Sequence, residues 1–137
     1  MAETLNFAIA HKYDTRKAGI TVDVLLRMGD KELEVATKLD TGASFCIFQR
    51  IYGELLGLNI EQDQRETINT PTGGFIAYGH AVTLTVLGLE FQTIVYFAAD
   101  ENFSRNVLGR QGWLDRVRLG LIDYEGKLFL SDYNSLS

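Results

Sequence analysis

The stretch KLDTGASF, residues 38–45, decides how the rest of the chain is interpreted. It places a carboxylate, Asp40, between a hydrophobic strand and a Gly-Ala turn. Leu39 before it and the apolar run 45–48 after it are both predicted to be buried. Asp40 is therefore either an ordinary turn residue whose side chain caps its own loop, or an acid held at the floor of a cleft to do chemistry.

The size and composition of the chain fit one domain. It has 137 residues, of which 46% are hydrophobic, and a net charge of −5. A chain of this length can bury about two thirds of its unfolded surface, so we expect a single domain over residues 1–137. The charges form no Lys/Arg cluster, which argues against a nucleic-acid partner. The sole cysteine, Cys46, lies in an apolar run and is predicted to be a core side chain.

The N-terminal segment carries no secretory signal pattern. The residues MAETLNFAIAHKYDTRK lack a basic start followed by a sufficient apolar core, and no apolar run approaches transmembrane length. We therefore expect a soluble, cytoplasmic domain with no membrane partner. Residues 1–17 are interpreted as either a self-cleavage region or an edge strand.

Alternation of apolar and polar residues with a period of two dominates the sequence. Turn signals divide this pattern into short strands, which argues for an all-β barrel or sandwich. The predicted hairpins are Gly19–Met28 with Lys31–Leu39 through Gly29-Asp30, Phe75–Leu87 with Leu89–Ala98 through Gly88, and Val117–Asp123 with Lys127–Ser131 through Glu125-Gly126.

One segment in the first half of the chain predicts a helix, at Phe48–Leu56. In this segment Ile51, Leu55 and Leu56 would share one apolar face. Gly57 stands where a left-handed C-cap is expected. This helix would follow the Asp40 turn directly.

A second short helix is predicted at Arg110–Arg116, with Trp113 and Leu114 pointing inward. The two predicted helices belong to a weak internal repeat. In each half a strand runs into a glycine turn, at residues 39–42 and again at 106–109, before a helix begins. The repetition predicts two related strand–turn–helix units, of which only the first supplies an acid.

Three motifs appear in a fixed order: Asp40-Thr41-Gly42-Ala43 after a strand, a Gly-rich hairpin at residues 70–76, and Asn106-Val107-Leu108-Gly109-Arg110. With these motifs the chain resembles the retropepsin-like aspartic proteases, from about Gly19 to Leu130. The resemblance implies a closed β-barrel with one or two short helices, active as a homodimer. It implies an endopeptidase that acts on a peptide or protein substrate without a metal or cofactor.

Peptide hydrolysis by carboxylates requires two of them sharing a proton. One acts as a base toward water while the other, protonated, polarises the scissile carbonyl. The two titrations then belong to the pair rather than to either residue. This chain has only one Asp-Thr-Gly, so the resemblance implies that Asp40 meets its symmetry mate across a two-fold axis. A monomer would be inert, and Asp40 would be buried because it is half of this pair.

The resemblance also assigns roles to the residues that follow Asp40. Thr41 would hydrogen-bond across the dimer axis, and Gly42 would permit close backbone approach to the carboxylates. Ala43 lacks the hydroxyl that pepsin-like enzymes commonly carry at this position, a group that would favour the charged carboxylate. We therefore predict a pH optimum less acidic than that of pepsin.

The other two motifs are assigned to a lid and to a supporting turn. The hairpin would form a flap that closes over a bound peptide; its residues are Thr72, Gly73, Gly74, Phe75, Ile76 and Tyr78, with the last three as candidates for substrate contact. The second active-site turn would be formed by Val107, Leu108 and Gly109. Arg110 would be a structural anchor for the short helix.

The chain departs from the retroviral pattern at Ser44 and Phe45, where acidic residues often follow Asp-Thr-Gly-Ala. The subsites beside the dyad are therefore expected to be less acidic and more apolar. Arg110 would need another partner, in Asp115, Asp123 or the other subunit.

Other functions are weighed against this interpretation. His11 and His80 belong to no metal-ligand cluster, and they are interpreted as surface histidines. A triad of Ser44, His80 and an aspartate is not excluded by the sequence, although nothing favours it. A catalytically silent dimerisation or peptide-binding module is the main alternative, and a protease that needs a partner, or cleaves only itself, is a further one.

Overall fold

A computed structural model describes residues 1–134. These residues form ten strands: β1 Ile9–Lys12, β2 Thr21–Met28, β3 Lys31–Leu39, β4 Ile47–Phe48, β5 Gln64–Thr70, β6 Gly73–Val86, β7 Leu89–Ala98, β8 Val107–Leu108, β9 Val117–Ile122 and β10 Lys127–Asp132. One α-helix and three 3₁₀ helices accompany them: α1 Arg50–Leu55, Ile60–Gln62, Leu114–Arg116 and Asp123–Glu125. Within the described residues, no helix has both the length and the apolar character needed to cross a membrane.

Seven of the strands form a sheet in the order β2-β3-β8-β4-β7-β6-β5. Strand β2 also pairs with the far end of β6, from Val24 opposite Val86 to Arg27 opposite Thr83. This extra pairing closes the sheet into a barrel, which leaves β5 outside the ring as an extension of β6. The predicted all-β barrel is confirmed.

The long hairpins form because their turns contain residues that adopt left-handed backbone conformations. In β2–β3 the turn is Gly29-Asp30, with Gly29 at φ +61°. In β6–β7 both turn residues have positive φ, +49° at Leu87 and +86° at Gly88, as a two-residue hairpin requires. The bounds of β3 and β7 are those predicted, and β2, β6, β9 and β10 differ from prediction by one or two residues at their ends.

Strands β1, β10 and β9 form a separate three-stranded sheet. Ile9 pairs with Leu130, and Phe7 stacks near Phe129 with ring centroids 5.8 Å apart. Tyr13 donates a hydrogen bond to Asp123 at the β9–β10 turn. Of the two interpretations of residues 1–17, an edge strand is therefore present at Ile9–Lys12.

The predicted helix at Phe48–Leu56 is shorter than expected, because Phe48 is taken up in β4 and pairs with Phe97. Its predicted apolar face was also wrong: Ile51 and Leu55 are 50% and 53% exposed, whereas Leu56 is 3% exposed. The buried face is formed instead by Gly53 and Leu56.

The predicted C-cap of this helix is confirmed. Gly57 has φ +81°, its N–H donates to Glu54 O, and the Leu58 N–H donates to Gly53 O. These two bonds make a Schellman motif, which satisfies carbonyls that the helix itself leaves free.

The second predicted helix, Arg110–Arg116, is reduced to the 3₁₀ turn Leu114–Arg116. Its first residues do not become helical because Gln111 forms a parallel β-bridge with Phe45 and Gly112 has φ +98°, a left-handed conformation that an α-helix does not contain. Trp113 is 1% exposed and lies in the core as predicted, and Leu114 packs against that core.

Candidate active site

Asp40 lies at the end of β3, in a turn fixed by its own hydrogen bonds. Its N–H donates to Leu108 O over 3.0 Å, and its carbonyl accepts from the Ala43 N–H over 3.1 Å. Its Oδ1 accepts from the Gly42 N–H over 3.0 Å. The side chain is exposed in the single chain, so the expectation that it is buried was wrong for one chain. Because Thr41 and Gly42 are exposed as well, the whole turn faces outward.

The predicted second turn lies directly against this loop. Strand β8 runs parallel to β3 and pairs Val107 with Lys38 and Leu108 with Leu39. Gly109 follows, and a Cβ atom on it would lie 2.1 Å from Phe45 O and 2.8 Å from Ala43 O. A glycine is therefore required here, because any side chain would push the Asp40 loop away.

Cys46 packs against the same junction. Its thiol is fully buried, and the Gly109 N–H donates to Sγ over 3.4 Å. Burial raises the pKa of the Cys46 thiol to about 12. The prediction of a core side chain is confirmed, and a neutral, buried thiol is poorly suited to act as a nucleophile.

A cleft of about 390 Å³ opens beside Asp40. Its floor includes Gly42, Ala43 and Ser44 from the Asp40 loop. Apolar walls surround this floor: Phe45, Ile47, Ile68, Phe75, Phe103 and Val107. Among the described residues that line the cleft, only Asp40 is acidic and only Arg105 is basic. This lining agrees with the expectation of apolar subsites with few acids.

The hairpin β5–β6 forms one side of the cleft. Thr70 pairs with Gly73 across the turn Pro71-Thr72, and Gly73 has φ +132°, a conformation that is readily adopted only by glycine. Strand β5 contributes Thr67, Ile68, Asn69 and Thr70 to the lining, followed by Pro71. The hairpin therefore stands where a flap was predicted.

The predicted flap residues separate into three groups. Phe75 lines the cleft. Thr72, Gly73 and Gly74 form the exposed tip and do not line it. Ile76 and Tyr78 do not line it either, and Tyr78 packs against the main core. Alternation along β6 sends Phe75 and Tyr78 to opposite faces of the strand, so only Phe75 of the three lines the cleft in the single chain, and contact of Ile76 and Tyr78 with a substrate stays a prediction.

The sequence interpretation missed part of the cleft. Strand β5 reads QRETINT, with Ile68 as its only apolar residue, so hydrophobic alternation did not reveal it. Phe103 and Arg105 lie in the irregular segment between β7 and β8, where no periodic pattern exists. The only signal in the sequence is that an aromatic residue and a cation stand close together in an otherwise polar loop, ENFSR.

Arg110 makes neither of the two ion pairs that were expected within its own chain. Within residues 1–134, Asp115 Oδ1 accepts instead from the Gly112 N–H and Asp123 accepts from Tyr13. The backbone of Arg110 does connect the Asp40 loop to the 3₁₀ turn, because its N–H donates to Ala43 O and its carbonyl accepts from the Asp115 N–H. A partner in another subunit remains a prediction.

The proposed histidine alternatives find no support in the geometry. His80 is buried at 6% exposure, which corrects its interpretation as a surface residue. Its Nε2 lies 2.8 Å from Ile60 O, and its Nδ1 lies 3.8 Å from Asp63 Oδ2. The His80 ring is therefore buried beneath the 3₁₀ turn Ile60–Gln62, and it does not form a triad with Ser44.

Solved structures with the same architecture were found by comparison. A retropepsin-like aspartic protease from Rickettsia conorii matches with a TM-score of 0.63 at 17% identity, over 90% of this chain and 97% of that one. The fold is retropepsin-like. The protease of the retrovirus EIAV, solved in complex with the inhibitor HBY-793, matches with a TM-score of 0.56 at 21% identity, over 69% of this chain and 84% of that one. No protein-family model and no curated protein sequence matches the chain.

Proposed function

We propose that this chain is an aspartic endopeptidase whose catalytic pair is formed by Asp40 from each of two identical subunits. The observation that carries the proposal is the position of Asp40, whose carboxylate lies exposed at a cleft that the β5–β6 hairpin flanks. A turn Asp with only a local role would need no such cleft. The retropepsin-like fold supports the same conclusion.

The need for a second subunit follows from the acidic residues that line the cleft. Asp40 is the only acid among the described residues that line it, and one carboxylate cannot serve at once as base and as acid toward the same substrate. Two copies related by a two-fold axis would bring two Asp40 carboxylates together. The exposure of the Asp40 turn leaves its surface available for such contact.

In this proposal the dyad holds one proton in the resting state. The ionised carboxylate removes a proton from water, whose oxygen attacks the peptide carbonyl carbon, while the protonated carboxyl donates its proton to the carbonyl oxygen. Collapse of the tetrahedral intermediate breaks the C–N bond and delivers a proton to the leaving amine. No metal or cofactor takes part.

The surrounding residues would hold the two Asp40 carboxyl groups in a fixed relative position. The Gly42 N–H holds Oδ1 of its own Asp40 at 3.0 Å, and Thr41 would hydrogen-bond to the opposite loop. Gly109 and Leu108 support the loop from behind. Preorganisation of this kind reduces the reorganisation that the reaction requires.

Interleaving of terminal strands is not needed to complete the described sheet: strand β1 pairs with β10 of its own chain along four residues, and only its outer edge is left for a partner. We propose that the dimer forms around the Asp40 turns. We further propose a single domain with its core at about 19–130 that acts in the cytoplasm, where the less acidic optimum expected from Ala43 would suit it.

Cleavage of a diverse peptide mixture tests the function. The wild-type chain and Asp40→Asn are incubated with the mixture across roughly pH 4 to 8, and products are identified by mass spectrometry. Cuts made by the wild type alone are expected. Binding of peptides by both proteins without cleavage, at concentrations where both are dimers, would instead identify a silent peptide-binding module.

A further inference from the structure

The segment between β7 and β8 forms the wall of the cleft that carries Arg105, the only basic residue among the described residues that line it. Phe103 and Arg105 of this segment both line the cleft. The guanidinium carbon of Arg105 lies 5.4 Å from the centroid of the Phe103 ring. The two side chains therefore present an aromatic surface and a positive charge next to each other.

This wall is held in place at both ends. The Ala99 N–H donates to Ile76 O over 2.9 Å at the start of the segment. At its end, the Asn106 side chain accepts from the Gln49 N–H and donates to Gln49 Oε1, both over 3.0 Å. Arg105 is thus presented by a segment with fixed ends.

The segment is also fixed in its middle and against the flap. Asp100 Oδ1 accepts from the Asn102 N–H over 2.8 Å, and Asp100 O accepts from the Phe103 N–H over 3.1 Å. The Phe103 ring then packs on Phe75 of β6 with centroids 4.7 Å apart. The aromatic pair joins this wall to the flap hairpin.

Arg105 is exposed, and within residues 1–134 no carboxylate lies within ion-pair distance of it. An arginine needed only for packing on Phe103 would not require a place in the cleft lining. A ligand carboxylate there would gain a charge-assisted partner, while the neighbouring aromatic rings favour a large apolar side chain.

We propose that the cleft selects peptides in which an acidic side chain lies close to a large apolar one, with Arg105 binding the carboxylate and Phe103 and Phe75 contacting the apolar group. The inference rests on the proposed function only in taking the ligand to be a peptide. It makes Arg105 a specificity residue, separate from the reacting atoms.

Binding to the Asp40→Asn chain tests the inference without requiring cleavage. The probes are octapeptides with Phe fixed at the fourth position and Glu, Gln or Lys placed in turn at every other position. At one position or more, Glu should bind about three- to fivefold more tightly than Gln, the size typical of a charge pair near solvent. This preference should disappear below about pH 4, where the Glu side chain is protonated.

Charge reversal provides the decisive comparison. Arg105→Glu in the Asp40→Asn background should abolish the preference for Glu and favour Lys at the same position. Arg16→Glu is the matched control, because Arg16 is 90% exposed at its side chain and lies outside the cleft. This control changes the net charge by the same amount and should leave the preference for Glu intact.

Equal binding of Glu and Gln peptides, an unchanged preference in Arg105→Glu, or no binding of any peptide would overturn the inference. Cleavage by the wild-type chain is scored separately. An enzyme that cuts without regard to acidic residues would contradict only the role of Arg105. A chain that binds acidic peptides through Arg105 but never cuts them would contradict only the proposed function.

Discussion

Gly109 is the residue on which the geometry of the Asp40 loop depends most. Its backbone passes so close to Phe45 O and Ala43 O that a Cβ would lie 2.1 Å and 2.8 Å from them. Both neighbours are backbone atoms, which cannot rotate away as a side chain can. The strand β8 can support the loop only with a glycine at this position.

We predict that Gly109→Ala lowers the free energy of unfolding by about 3 kcal/mol, at the upper end of the cost of overpacking. Gly29→Ala is the control: its φ is +61° with no atom within 4 Å of the new Cβ, so it should cost only about 1–2 kcal/mol. Urea denaturation measures both. Equal losses for the two variants would contradict the steric role of Gly109.

Ala43 is the residue expected to set the pH range of the reaction. It lines the cleft beside Asp40, and a serine there would bring a hydroxyl donor that favours an ionised carboxylate. Ala43→Ser should therefore move the pH–rate profile toward acid. The measurement is kcat/KM for one cleaved peptide against pH, with Ala43→Val as a control without a hydroxyl. An unchanged profile in Ala43→Ser would refute this role.

At the scale of elements, the strands that alternate apolar residues between glycine turns could be predicted from sequence alone. Strands β4 and β8 could not, because two-residue strands are defined by long-range pairing with β7 and β3. The helix face was misjudged for a related reason. The close approach of Gly53 to Ile60 and Phe97 decides which side of α1 is buried, and that contact is not local in sequence.

Adjacent leucines in α1 test the corrected face. Leu56 is 3% exposed and Leu55 is 53% exposed. We predict that Leu56→Ala lowers the free energy of unfolding by about 2–5 kcal/mol, whereas Leu55→Ala changes it by about 0.5 kcal/mol or less. Thermal and urea denaturation provide the comparison. A loss for Leu55→Ala as large as that for Leu56→Ala would contradict the corrected face.

Tyr13, which follows β1 directly, donates a hydrogen bond to Asp123 in the β9–β10 turn. This bond makes the stability of the fold depend on pH in the alkaline range. The hydrogen bond to Asp123, together with burial, raises the pKa of Tyr13 from 10.0 to about 12. Because the pKa is higher in the folded state, this contribution to stability is complete below pH 10 and is lost as the pH rises to about 12.

Tyr13→Phe should therefore be less stable than the wild type at neutral pH and should lose less stability between about pH 9 and pH 11. Urea denaturation at both pH values measures the difference. His11→Phe, a nearby change that leaves Tyr13 in place, serves as the control. Identical alkaline losses in Tyr13→Phe and the wild type would show that the hydrogen bond contributes nothing.

At the scale of the whole molecule, Asp40 could be predicted from the sequence as the candidate acid, but the residues that form the walls of its cleft could not. Asp40, Gly109 and the β5–β6 hairpin follow from short motifs whose chemistry demands particular residue types. Phe103 and Arg105 reach the cleft only because the β7–β8 segment is pinned at Ile76 and Gln49. The single Asp-Thr-Gly predicts that the functional unit is larger than one chain.

Mixing of wild-type and Asp40→Asn chains tests the central claim most directly. The two proteins are combined in equal amounts at fixed total concentration, allowed to exchange subunits, and assayed with one cleaved peptide. If each active site needs an Asp40 from both subunits, random pairing leaves about one quarter of the wild-type activity. Activity of about one half, in proportion to the wild-type fraction, would show that each chain works alone, and about three quarters would show that one Asp40 in each dimer suffices; either result would contradict the shared dyad.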